Sequence, residues 1–141
     1  MSYATVTDLR QWIDEDILIQ LTDDANTGST DTDVVDTILA AASLQIDGYL
    51  GGRYSLPLAT VPPILGKLCV DIAGWLLYAR RNAGVPEHWQ KLYDNAIAFL
   101  GKVAVGKITL GADDPIKAAG SDQATVTGEV RRFSRTGLED W

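Results

Sequence analysis

Residues 63–81, PILGKLCVDIAGWLLYARR, constrain the fold more than any other stretch of the chain. Leu65, Leu68, Ile72, Trp75, Leu76 and Ala79 recur at helical spacing, and Ile64, Cys69, Val70, Ala73 and Leu77 make the helix apolar almost all round. A helix of that kind belongs at the centre of a bundle or between subunits. Lys67 and Asp71 interrupt it, so it reads as a core helix and not as a membrane span.

The neighbouring segments supply the rest of a bundle. Thr5 and Asp8 are spaced as a capping box, which predicts a short helix through about Trp12. A second short piece follows over 14–21, with Ile17, Leu18 and Leu21 on one face. The next helix starts at Thr30 or Thr32 and lines one face with Val35, Ile38, Ala42, Ile46 and Tyr49. Gly51-Gly52 are expected to end it with a left-handed residue, and Pro57, Pro62 and Pro63 to hold the exit extended. A last helix runs from Pro86 to about Val105 on a stripe of Trp89, Leu92, Tyr93, Ala96, Leu100 and Val103, and Gly106 stops it. The fold class is therefore all-α: a small bundle of about four helices over 1–106, followed by an extended, partly β-like tail over 107–141. Within that tail only residues 125–131 alternate as a strand would. Its apolar side chains cannot offset the entropy of ordering 35 residues, so it is expected to order only against a partner.

Charge narrows the function. Twelve basic and 19 acidic residues leave a net charge of −7, and residues 1–50 carry ten acids against Arg10 alone. Such a surface does not grip phosphate. The acids in 23–33 lack the ligand spacing and closing glutamate of a calcium loop. Cys69 is the single cysteine and sits in an apolar pattern, so it is expected to be a buried thiol in a reducing compartment, and the first residues show no secretory leader. His88, the one histidine, lies at a helix start beside Glu87 and is expected on the surface. A nucleophile with its base, or a metal set, cannot be assembled from these residues, so no enzyme, cofactor or metal is expected.

Several pieces in order resemble one family. They are YATVTDL at 3–9, LIQLTD at 18–23, AAS at 41–43, IDGYL at 46–50, RYSLPL at 53–58, VPP at 61–63 and DIA at 71–73. YDNAI at 93–97 with Leu100, GKITL at 106–110 and RFSR at 132–135 complete the set. The chain resembles the Mu-like phage head–tail joining proteins, also called connector, adaptor or head-completion proteins. The resemblance implies a virion protein of the neck, assembled in the host bacterial cytoplasm. Its implied partners are further copies in a ring, a dodecamer by expectation, with the portal protein on one side and a tail-terminator or tail-completion protein on the other. DNA would pass through the ring without specific binding, and no membrane is involved.

Residue roles follow from that implication. Arg53, Tyr54, Val130, Arg131, Arg132, Phe133, Arg135 and Trp141 are the expected contacts to a neighbouring subunit or the portal. Asp23, Asp24, Asp31 and Asp33 are the expected channel-facing acids. Arg53 is expected to bind helix-end carbonyls or Asp71, fixing the angle at which subunits meet. The competing readings are a tail-terminator or tail-completion ring, which would carry a substantial β-sheet, a small regulatory binding module, and a hydrolase using two of the acids.

Overall fold

The computed structural model describes residues 2–81 and 84–111. They form five helices, α1 (Val6–Arg10), α2 (Glu15–Thr22), α3 (Thr32–Leu50), α4 (Pro63–Ala79) and α5 (Glu87–Ala104), with no strand among the described residues. The all-α expectation holds, with five helices where about four were expected because α1 and α2 each form separately. The strand expected over 125–131 lies outside the described residues.

The helix starts are set locally, with Asp31 taking the place of the Thr30 or Thr32 expected to start α3. Thr5 closes a capping box with Asp8, Asp31 caps α3 by accepting from the Asp33 and Val34 amides, and Pro63 opens α4. Helix α4 occupies the centre, packed against the other four. Leu65, Leu68, Cys69, Val70, Ile72, Ala73 and Leu77 are all buried. Helices α3 and α5 flank it with Val35, Leu39, Ala42, Ile46 and Leu50 from one side and Trp89, Ala96, Leu100 and Val103 from the other. Gly74 lets α5 come close: a Cβ at that position would overlap the Trp89 ring. Trp75 is only half-buried, stacked on Tyr93 with 4.3 Å between ring centres and donating its Nε1–H to Gln90 at 2.9 Å.

The buried polar side chains Thr22, Ser43 and Asp71 each have a partner. Ser43 Oγ accepts from the Tyr3 amide at 3.0 Å and sits 3.5 Å from Cys69 Sγ. Burial pushes the Cys69 thiol up from its ordinary pKa, in keeping with an inert core cysteine. Asp71 is ion-paired with Lys67 one turn earlier, and burial still raises its carboxyl above the usual range. Tyr3 donates its hydroxyl to Asp47, which ties the N-terminal strap to α3.

Two expectations for the corner after α3 are corrected. Gly51 has φ −60°, ordinary right-handed backbone, and Gly52 is not in the left-handed region either. The chain leaves α3 by continuing to turn, with the Arg53 and Tyr54 amides both donating to Leu50 O at 2.9 and 2.8 Å. The left-handed glycine is at the end of α5 instead, where Gly106 has φ +83°. Asp71 is taken by Lys67, so Arg53 does not pair with it.

Candidate functional site

The two ends of α3 carry the residues that the sequence singles out, and they are built differently. At the N-terminal end, the Asp23 carboxylate accepts from the Thr27 amide at 2.8 Å, the Gly28 amide at 2.7 Å and the Thr27 hydroxyl at 3.1 Å. Those backbone donors favour the charged form and hold the Asp23 carboxyl below its ordinary pKa. Asp24 pairs with both Arg80 and Arg81 at the end of α4, the latter at 2.7 Å, and Arg80 chiefly lowers its pKa. Arg80 also donates to Leu21 O at 2.9 Å. Asp31 is engaged as the α3 cap. Among the four acids expected to face a channel, only Asp33 leaves its carboxylate without a partner among the described residues. It is exposed at the mouth of an open groove of about 290 Å³ floored by Val34 and Ile38.

At the other end of α3, Tyr54 is fully buried, and its hydroxyl accepts from the Leu110 amide at 3.1 Å. The sequence offers Tyr54 as a contact for another subunit; it is a core residue of its own chain. Through that bond, and through Ile108 and Leu110 packing on the core, residues 107–111 belong with the bundle and not with a separate tail.

Arg53 is half-buried beside it, with its guanidinium lying on Gly106 so closely that a Cβ there would overlap Nη1. Its φ is what requires glycine at 106, since the flexible end of Arg53 could shift away from an added Cβ. Nη1 is buried and has no hydrogen-bond partner among the described residues, so the expected bond to the helix-end carbonyls there is not made. The Lys107 and Ile108 amides take Lys102 O instead, at 2.9 and 3.3 Å. This brings Lys102 and Lys107, both exposed, to the same corner as Arg53.

Residues 3–128 match the family described as Bacteriophage Mu, Gp36. The chain belongs to that family. It is 34% identical over 139 residues to "Gene product J" of Escherichia phage Mu, a match that covers 96% of each chain. It is 40% identical over 98 residues to "Mu-like prophage FluMu protein gp36" of Haemophilus influenzae, covering 70% of this chain and 67% of that one. The phage origin implied by the sequence resemblance is thereby shown.

In this Gp36-family chain, Val130, Arg131, Arg132, Phe133, Arg135 and Trp141 lie outside the described residues, and Arg53 is the one expected contact residue that is both described and partly accessible. His88 is exposed, while Cys69 is buried with Ser43 and the Leu39 carbonyl. Among the described residues there is no group of three or more His, Cys, Asp or Glu placed to hold a metal, and no helix is long and apolar enough to cross a membrane.

Sequence reasoning missed the side chain of Trp12. It is 56% exposed, with Lys67 Nζ 4.3 Å above its ring, beside a second open groove that includes Asp8, Pro63 and Val70. It lies in the turn between α1 and α2, one residue before the buried Ile13.

Proposed function

We propose that this protein is a structural component of the phage particle: a head–tail connector, or adaptor, that forms a ring at the neck between portal and tail. It works by assembly and not by catalysis. Copies meet through one patch on each side in a heterologous contact that closes on itself, a dodecamer in the expected form. The portal protein lies on one face and a tail-terminator or tail-completion protein on the other. DNA passes through the middle. The net negative charge supports a channel in which phosphate finds no grip. Asp23, Asp24 and Asp31 already serve the monomer, so the overall charge carries that argument and those three residues do not.

The observation that carries this reading, within a phage family, is an all-helical bundle with no strand among the described residues. A tail-terminator ring would be expected to show a substantial sheet. The test is a phage or induced prophage in which this gene is disrupted, viewed by electron microscopy. The expected products are DNA-filled heads and separate tails of normal length that join when purified protein is added. Tails of uncontrolled length would favour the tail-terminator reading, and intact infectious particles would overturn both.

A further inference from the structure

Eight basic residues lie among the described residues, and five of them, Arg10, Lys67, Arg80, Arg81 and Lys91, are held in ion pairs within the chain. The other three are Arg53, Lys102 and Lys107, and these three share the single corner where α3 and α5 end. Among the described residues, the positive charge that has no ion-pair partner is thus gathered in one place. Arg53 adds a second sign of an open site, because Nη1 is out of water yet finds no acceptor among the described residues. An uncompensated guanidinium at a half-buried position is stabilised by a carboxylate approaching its accessible edge.

The complementary surface lies at the opposite end of the same helix. Asp33 and Asp36, on the first turns of α3, are exposed and in no ion pair among the described residues, and Asp33 shares an open groove with Val34, Ile38 and Arg80. Helix α3 has 19 residues, so the two patches stand roughly 28 Å apart, too far to meet within one molecule. Opposite charges at the two ends of a rigid element attract one another between copies. An antiparallel pair would use both ends at once, whereas a closed ring uses them in sequence, and it is the ring reading that selects the head-to-tail arrangement.

We propose that the Arg53–Lys102–Lys107 corner of one copy seats the N-terminal turns of α3, through Asp33 and Asp36, of the next copy. The inference rests on the ring reading above and supplies its contact. Such a contact is steered and strengthened at low ionic strength and loosened by salt.

The full chain, mixed as isotopically light and heavy copies at low salt, is coupled with a carbodiimide, which joins only amines and carboxylates already in contact. The expected result is light–heavy coupling of Lys102 or Lys107 to Asp33 or Asp36. Sedimentation should show self-association weakened at least about tenfold in the K102E/K107E variant and in the D33K/D36K variant, with association restored when the two variants are mixed. All four positions are exposed, so the variants keep the fold. Oligomers that ignore both variants and couple through other residues overturn this contact and leave the ring standing. Coupling confined to one copy, from these lysines to acids in 112–141, overturns it as well. A twofold dimer, or a chain that stays monomeric even on portal-bearing heads, overturns the contact and the ring together.

Discussion

The N-terminal and C-terminal ends of α3 both redirect the chain, and they do it with different materials. At the N-terminal end nearly every polar group has a partner nearby: Asp23 holds Thr27 and Gly28, Asp24 holds Arg80 and Arg81, Asp31 caps, and Thr30 donates to Glu15 at 2.6 Å. At the C-terminal end the chain is held by burial. Tyr54, Leu50 and Leu58 are inside, Leu56 and Leu110 pack over them, and a guanidinium nitrogen is left over. Polar matching closes a loop on its own molecule, whereas apolar burial fixes a corner and leaves its charges available to another molecule.

The sharpest way to break that comparison is at Tyr54. Tyr54→Ala removes a fully buried ring and the acceptor of the Leu110 amide, and should cost about 3–5 kcal/mol, read by denaturant unfolding. A loss below about 1 kcal/mol would mean that burial does not hold the corner.

The N-terminal end should respond to acid instead. Asp23 and Asp24 titrate below the ordinary carboxylate range in the folded chain. Groups shifted in that direction contribute stability that is present above their unfolded pKa and lost as pH falls through the folded one. The 23–31 loop should therefore loosen locally below about pH 4, seen as smaller protection factors at the Thr27 and Gly28 amides, each taken against the intrinsic exchange rate at that pH, while the core amides stay protected. Asp24→Asn should weaken the tie to Arg80 and Arg81 already at neutral pH. Asp71, whose pKa is raised by burial, acts in the opposite direction, since protonating it on acidification favours the folded chain; a site-resolved measurement separates the two. Equal protection factors at pH 3 and pH 7 would remove the polar-closure account.

The smallest effect should come from Gly52→Ala. Its φ is not in the left-handed region and a Cβ would meet nothing within 4 Å. Melting should be unchanged or raised by the equivalent of about 0.4–1 kcal/mol through the unfolded chain. A loss of more than about 1 kcal/mol would restore Gly52 to the left-handed role that its sequence suggests.

The same contrast explains what the sequence could and could not disclose. The helices and the Thr5 cap were legible because their signals lie within a turn or two of the residues concerned, whereas the α3 cap fell to Asp31, between the Thr30 and Thr32 expected to start that helix. The centrality of α4 was legible because an all-round apolar helix has nowhere else to go. Gly51-Gly52 misled because glycine permits a positive φ without requiring one. Arg53 and Asp24 misled because their neighbours, Gly106 in one case and Arg80 and Arg81 in the other, lie more than fifty positions away along the chain. The acids at 23, 24 and 31 read as free surface charge because composition alone does not distinguish a carboxylate facing water from one folded back on its own loop.

Gly74 against Trp89 has a consequence for how such chains can diverge. The two positions form one inherited unit, since the absence of a side chain at 74 is the space that the indole fills. A larger residue at 74 arising first is overpacked at a helix crossing in the middle of the core, a cost of about 1–3 kcal/mol or more. A smaller residue at 89 arising first leaves a void, up to about 3–5 kcal/mol for a full truncation to alanine. Lineages can therefore exchange this pair only through a narrow passage, with a modest trim of the aromatic preceding any growth at the glycine, and the separation of α4 and α5 is kept long after the surface charges have drifted.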